Sequence, residues 1–154
     1  MRSRVHAVAG VLGLTLITLF LTTSVVVELV GDRATIAAAK QWILYGVAVL
    51  IPCLIVAGAS GRSMMGPQPG PELRAKQRRM FVIAAVGLAV LTLCALLLQQ
   101  LSAAGEFGLT FTLVQTVEFV AGAVNVTLMS LNVRAGLRLT GRIGPRMAGA
   151  ARAA

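Results

Sequence analysis

Residues 80–98 read MFVIAAVGLAVLTLCALLL, a run without one charged side chain. Arg78 and Arg79 precede it and Gln99 and Gln100 follow it. A helix of this length rises about 1.5 Å per residue, close to the roughly 30 Å of a bilayer's hydrocarbon core. In lipid every backbone N–H and C=O must find its partner within the segment, so the run reads as a transmembrane helix.

Three further stretches have the same character, at about residues 5–30, 42–59 and 109–131. Of the chain's 154 residues, 57% are hydrophobic and only 12% charged, against roughly 25% charged in an ordinary soluble domain. That composition cannot cover a core with polar surface, which excludes a typical soluble enzyme. The first stretch follows Arg2 and Arg4, as a secretion signal would. Its apolar part exceeds the ~7–15 residues of a signal core, and no small-x-small cleavage pattern appears before Glu28, so a retained helix is expected. The predicted fold is all-α: one transmembrane domain over 1–154, an up-down bundle of four helices with a basic tail from 132 onward.

The net charge of +9 sits between the apolar runs. Twelve of the 14 Lys and Arg residues fall before the first span, between the second and third, and after the fourth. Only Arg33 and Lys40 fall on the other side, together with Glu28, Asp32 and Glu106. The positive-inside rule then predicts both termini in the cytoplasm. No nucleic-acid-binding motif accompanies the basic charge, so the bilayer, not nucleic acid, is the expected partner. Residues 66–71, GPQPGP, break any helix between the second and third spans. Pro52 predicts a kink within the second span, and Trp42 and Tyr45 at its start suit a membrane interface. Cys53 and Cys94 lie at different depths and read as packing residues, not a disulfide.

Polar residues within a span mark a packing seam or a site. In the fourth span Gln115, Glu118, Gly122, Asn125 and Met129 recur at steps of three and four, and Asn132 continues the row, which places all of them on one face. His6, Gly10, Gly13, Ile17, Ser24 and Glu28 share a face of the first span. Glu118 is expected near mid-bilayer. With no Lys or Arg inside the four predicted spans, the expectation is an uncharged acid, hydrogen-bonded by Thr18 or Thr92 at similar depth. This face admits two readings, a proton or ion pathway and a helix-packing seam.

His6 is the single histidine, at the mouth of the first span. The Arg-x-x-His approach is similar to the start of several b-type cytochrome helices. Haem b in such bundles takes two axial ligands, usually His, so His6 would need a Met or a partner's residue. The alternative is an interfacial His bonded to backbone or lipid. Arg134, Arg138 and Arg142 recur every four residues beyond the fourth span, as an orientation signal and a contact for lipid headgroups. No nucleophile–base pair, metal-ligand spacing or phosphate-binding loop is present in the sequence.

The runs VHAVAG, KQWILYG, KQRRMFVIAAVG and VQTVEFVAGAVNVTLMSLNVRAGLRLTGR together resemble a group of small four-span bacterial inner-membrane proteins of unknown function. The resemblance implies the bacterial cytoplasmic membrane and the same layout, and carries no activity across. The sequence therefore predicts a non-enzymatic anchor, accessory or assembly subunit of a membrane complex, with a membrane protein or a second copy as partner. The alternatives are a haem b or quinone-binding redox anchor at His6 and a small transporter or proton pathway at Glu118.

Overall fold

The computed structural model describes residues 2–63 and 70–139. Arg142, the rest of the tail and most of the GPQPGP break lie outside the described residues. Among the described residues there are four long helices and no strand. The first helix is Arg2–Val30 and the second Arg33–Ser63. The third is one continuous rod, built of Pro71–Ala85, a π-helical stretch Val86–Leu91, and Thr92–Ala103. The fourth is Leu109–Leu139. Each helix is long and apolar enough to cross a membrane. Every helix packs on its neighbours in sequence, and the fourth closes the square against the first.

The link between the first two helices is shorter than the apolar runs predict. Only Gly31 and Asp32 separate them. Asp32 caps the second helix: its Oδ1 accepts the Thr35 amide at 2.8 Å, which satisfies one of the first-turn donors. The helix thus begins nine residues before Trp42 and carries Lys40 and Gln41 into the bundle. The sequence already holds the reason. Ile36, Lys40, Ile43, Val47, Leu50, Leu54 and Ala57 alternate steps of four and three, and all are buried. Lys40 occupies a core position of that stripe.

The third helix ends in a Schellman turn around Gly105, the one described residue at positive φ, +74°. The Glu106 amide reaches Leu101 O at 2.9 Å and the Gly105 amide reaches Ser102 O at 3.1 Å. Its π-helical stretch also has a local cause. Gly87 O accepts the Thr92 amide, five residues on, and the Thr92 hydroxyl at 3.0 Å. At Gly87 the backbone lies so close to its neighbours that a Cβ would stand 3.1 Å from Leu54 Cδ1 and 3.3 Å from Asn125 Nδ2. The missing side chain lets the second and fourth helices approach the third together. The second helix runs on through Pro52, which lies on an exposed face.

The core has a middle cluster of Ile17, Leu50, Leu54, Ile83 and Met129. A second cluster, Ile36, Cys94, Leu98 and Phe111, sits toward the interhelix turns. Both cysteines are free, and Cys94 packs within the second cluster. The outer faces are apolar: Leu29, Val30, Phe81 and Leu109 are among the most exposed side chains. Trp42 and Tyr45 meet edge to face on that surface, 5.7 Å apart. The interior meanwhile holds Ser24, Lys40, Gln115, Glu118 and Asn125. An apolar outside around a polar seam suits lipid as the solvent and would be a large sticky patch in water.

Antiparallel packing puts the turns at 31–32 and 104–108 at one end, called here the turn end. The first residues of the first helix, the end of the second, the start of the third and the end of the fourth lie at the other, the basic end.

Candidate functional site

The row on the fourth helix is the inward face, as its spacing predicts. Gln115, Glu118, Gly122, Asn125, Met129 and Asn132 are all buried. What they meet differs from the expectation. Lys40 Nζ stands 2.8 Å from Glu118 Oε2, and the Lys40 side chain is 0% exposed. The premise that no cation lies within the bundle is therefore overturned, and with it the uncharged acid: Glu118 belongs to an ion pair. The apolar run dated the second span from Trp42, whereas the Asp32 cap starts the helix early enough to bring Lys40 inside.

The pair sits in a polar knot drawn from three helices. Glu118 Oε2 also accepts Ser24 Oγ at 3.1 Å and Gln115 Nε2 at 2.7 Å. Lys40 Nζ donates to Ser24 Oγ at 2.7 Å as well. Thr18 and Thr92 take no part. Thr18 is exposed on the outer face, and the Thr92 hydroxyl is spent on Gly87 O. Depth alone had suggested them; helix rotation and the π-helical stretch decide otherwise. Glu118 is the tenth of 31 residues in its helix, about 13 Å from the turn end, so it lies short of the middle. The middle belongs to Asn125, 0% exposed, whose Nδ2 faces Ile83 O at 3.4 Å. Nearer the turn end the Gln99 amide reaches Gln41 Oε1 at 2.8 Å and ties the third helix to the second.

A buried ion pair needs strong geometry to offset the cost of desolvating two charges. Four hydrogen bonds within the knot provide that geometry. Lipid raises the cost further, since neither group finds water if the pair opens.

The second feature is a cavity of about 540 Å³ at the basic end, walled by all four helices. Leu54, Ala57, Ile83 and Met129 give it an apolar body, and Arg4, Lys76, His6 and Asn132 its polar margin. Arg79 Nη1 holds Asn132 Oδ1 at 3.4 Å. His6 Nδ1 lies 2.9 Å from Ala57 O. A carbonyl only accepts, so that nitrogen carries the hydrogen and Nε2 presents a lone pair when the ring is neutral. Arg134 and Arg138 extend the basic end on exposed positions of the fourth helix.

Haem b can be tested against these residues. The histidine tautomer suits an axial ligand, and Met80 and Met129 line the same cavity. Yet a Cβ placed on Gly61 would meet His6 Cε1 at 3.1 Å and Met80 Sδ at 3.3 Å. The two side chains therefore both pack against the Gly61 backbone of the second helix. Met129 is held in the core cluster. With a single histidine in the chain, the residues lack the His pair that usually holds haem b.

Comparisons with protein-family models, with curated proteins and with solved structures find no match to this chain. The class that fold and site define is a four-helix protein suited to a membrane, with a buried Lys–Glu pair toward one end and a cavity at the other.

Proposed function

We propose that this chain is a non-enzymatic membrane component, in the anchor, accessory or assembly role expected from its sequence, and that its working site is the cavity at the basic end. The occupant is one amphiphile with an acyl-type chain and an anionic headgroup. The observation that carries this reading is the cavity itself. Its volume falls within the range of ligand pockets, its body is apolar, and two cationic side chains, Arg4 and Lys76, border it. Each such cation attracts an anionic headgroup by about 1 kcal/mol. The wider Lys/Arg bias supports the basic end facing the cytoplasm by the positive-inside rule, and the sequence resemblance supports a bacterial inner membrane.

Native mass spectrometry of the protein, extracted in a mild detergent with defined lipids, tests the reading. Phosphatidylglycerol should be retained in preference to phosphatidylcholine. Gly10 and Gly58 line the cavity, and a Cβ at either meets nothing within 4 Å. Gly58→Leu should therefore fill the space without strain and abolish retention. Equal retention of both lipids, or retention unchanged in Gly58→Leu, would overturn the proposal.

A further inference from the structure

The polar knot contains more acceptors than donors. Glu28 lies one turn from Ser24 on the same face of the first helix, toward the turn end, and within electrostatic reach of both Lys40 and Glu118. Gln115 lies one turn from Glu118 in the same direction. Gln115 is 5% exposed. With its Nε2 committed to Glu118, its Oε1 is buried without a hydrogen-bond partner, and so is Glu28 Oε1. Two buried oxygens without a partner, one on the first helix and one on the fourth, need a donor. Charge counting asks for the same thing: two carboxyl groups lie within electrostatic reach of one ammonium.

The groups around the knot narrow what that donor is. The first helix offers Ser24 and Glu28, the second Lys40, and the fourth Gln115 and Glu118. From the third helix comes the Cys94 thiol, in electrostatic reach of Lys40 and Glu118. Arg33 is turned to the Phe107 ring, 5.6 Å from its centre. No group of three His, Cys, Asp or Glu side chains able to hold a metal ion occurs among the described residues. The cavity of about 40 Å³ against Glu118 is sized for one water molecule and too small for a hydrated cation.

We propose that this knot is a proton-binding site, with Glu28 as the group that takes up one proton from the turn-end solution. The step is simple in its balance: carboxylate plus proton gives carboxylic acid, with no other bond made or broken. The new O–H adds a donor to a knot whose buried acceptors outnumber its donors. Glu118 stays with Lys40. Uptake takes the knot from a net charge of −1 to zero, which suits a site surrounded by lipid.

Infrared spectroscopy of the protein in liposomes, titrated with pH and checked by the deuterium shift, reads a protonated carboxylic acid directly. Wild type should show one titrating acid band. Glu28→Gln should lose it while remaining folded, since the change is conservative and the residue only half buried. Glu118→Gln should lose it too, because Glu28 then becomes the partner of Lys40. Lys40→Met should strengthen the band and extend it to higher pH, with two carboxyls and no ammonium. A wild type without a titrating band, or a band that survives in Glu28→Gln, overturns the proposal. Stabilisation by sodium in place of an acid band overturns it in favour of a metal cation.

Discussion

Lys40 and Lys76 both turn toward the inside of the bundle, and they are treated in opposite ways. Lys40 is sealed among three helices, and its ammonium is matched by Ser24 and Glu118. Lys76 is half-buried at the margin of a cavity of about 540 Å³ whose body is apolar. At the turn end the helices close on a charge and satisfy it internally. At the basic end they part and leave cations beside a space that an outside molecule can fill. A charge with an internal partner contributes to a fixed structure, and one bordering an apolar cavity is where the anionic headgroup of the proposed amphiphile would be held.

The sharpest way to break that contrast is to remove the sealed cation. Lys40→Met leaves Glu118 buried with no ammonium and should cost about 3–5 kcal/mol, read as a large fall in the thermal midpoint in detergent. The double variant Lys40→Met/Glu118→Leu should recover most of the loss, since an apolar pair of similar volume replaces the charges. If the single variant melts like wild type, the pair is not holding the bundle together.

The seam between the first two helices comes next. A Cβ on Gly46 would stand 2.3 Å from Phe20 Cζ and 2.6 Å from Cε1. Gly46→Ala should therefore push the ring out of place and cost about 1–3 kcal/mol by overpacking. Gly58→Leu at the basic end makes the useful opposite. Its thermal midpoint in lipid-free detergent should stay near wild type, and stabilisation by added phosphatidylglycerol should disappear. The same glycine-to-larger change is thus costly where the helices close and nearly silent where they part. Similar melting losses for the two variants would erase the difference between the ends.

The smallest effect is expected at the turn itself. Hydrogen bonds from the Thr35 side chain and amide hold the exposed Asp32 carboxyl below its ordinary range. A depressed folded value means that this stabilisation is complete above the unfolded value, near 3.9, and fades as pH falls through the lower folded one. Asp32→Asn keeps a good cap and removes that titration. Its melting temperature should equal wild type near neutral pH and fall less steeply in acid. Parallel curves would show that the cap makes no titrating contribution.

The side on which each end lies is open to a direct check. Alkaline phosphatase fused after Leu139 should be inactive, and fused at the Gly105 turn active, if the basic end faces the cytoplasm. The reverse pattern would remove the orientation and the cytoplasmic headgroup together.

The sequence by itself determined the four helices, their up-down order and the inward face of the fourth. These follow from local physics: lipid demands internally bonded segments of a certain length, and a period near 3.6 puts Gln115, Glu118 and Asn125 in one row. The same row of steps from Ile36 to Ala57 marked Lys40 as an inward residue, and reading span limits from hydropathy alone concealed it. Only the tertiary structure decided what the inward groups touch. Pairing depends on how each helix is rotated and where it starts, which the Asp32 cap, the close approach at Gly87 and the π-helical stretch set together. The rotation of the first helix leaves Thr18 outward, the π-helical stretch spends the Thr92 hydroxyl on Gly87 O, and the early start at the Asp32 cap brings Lys40 to Glu118. The cavity was equally hidden, because the space between four helices belongs to no single segment of the chain.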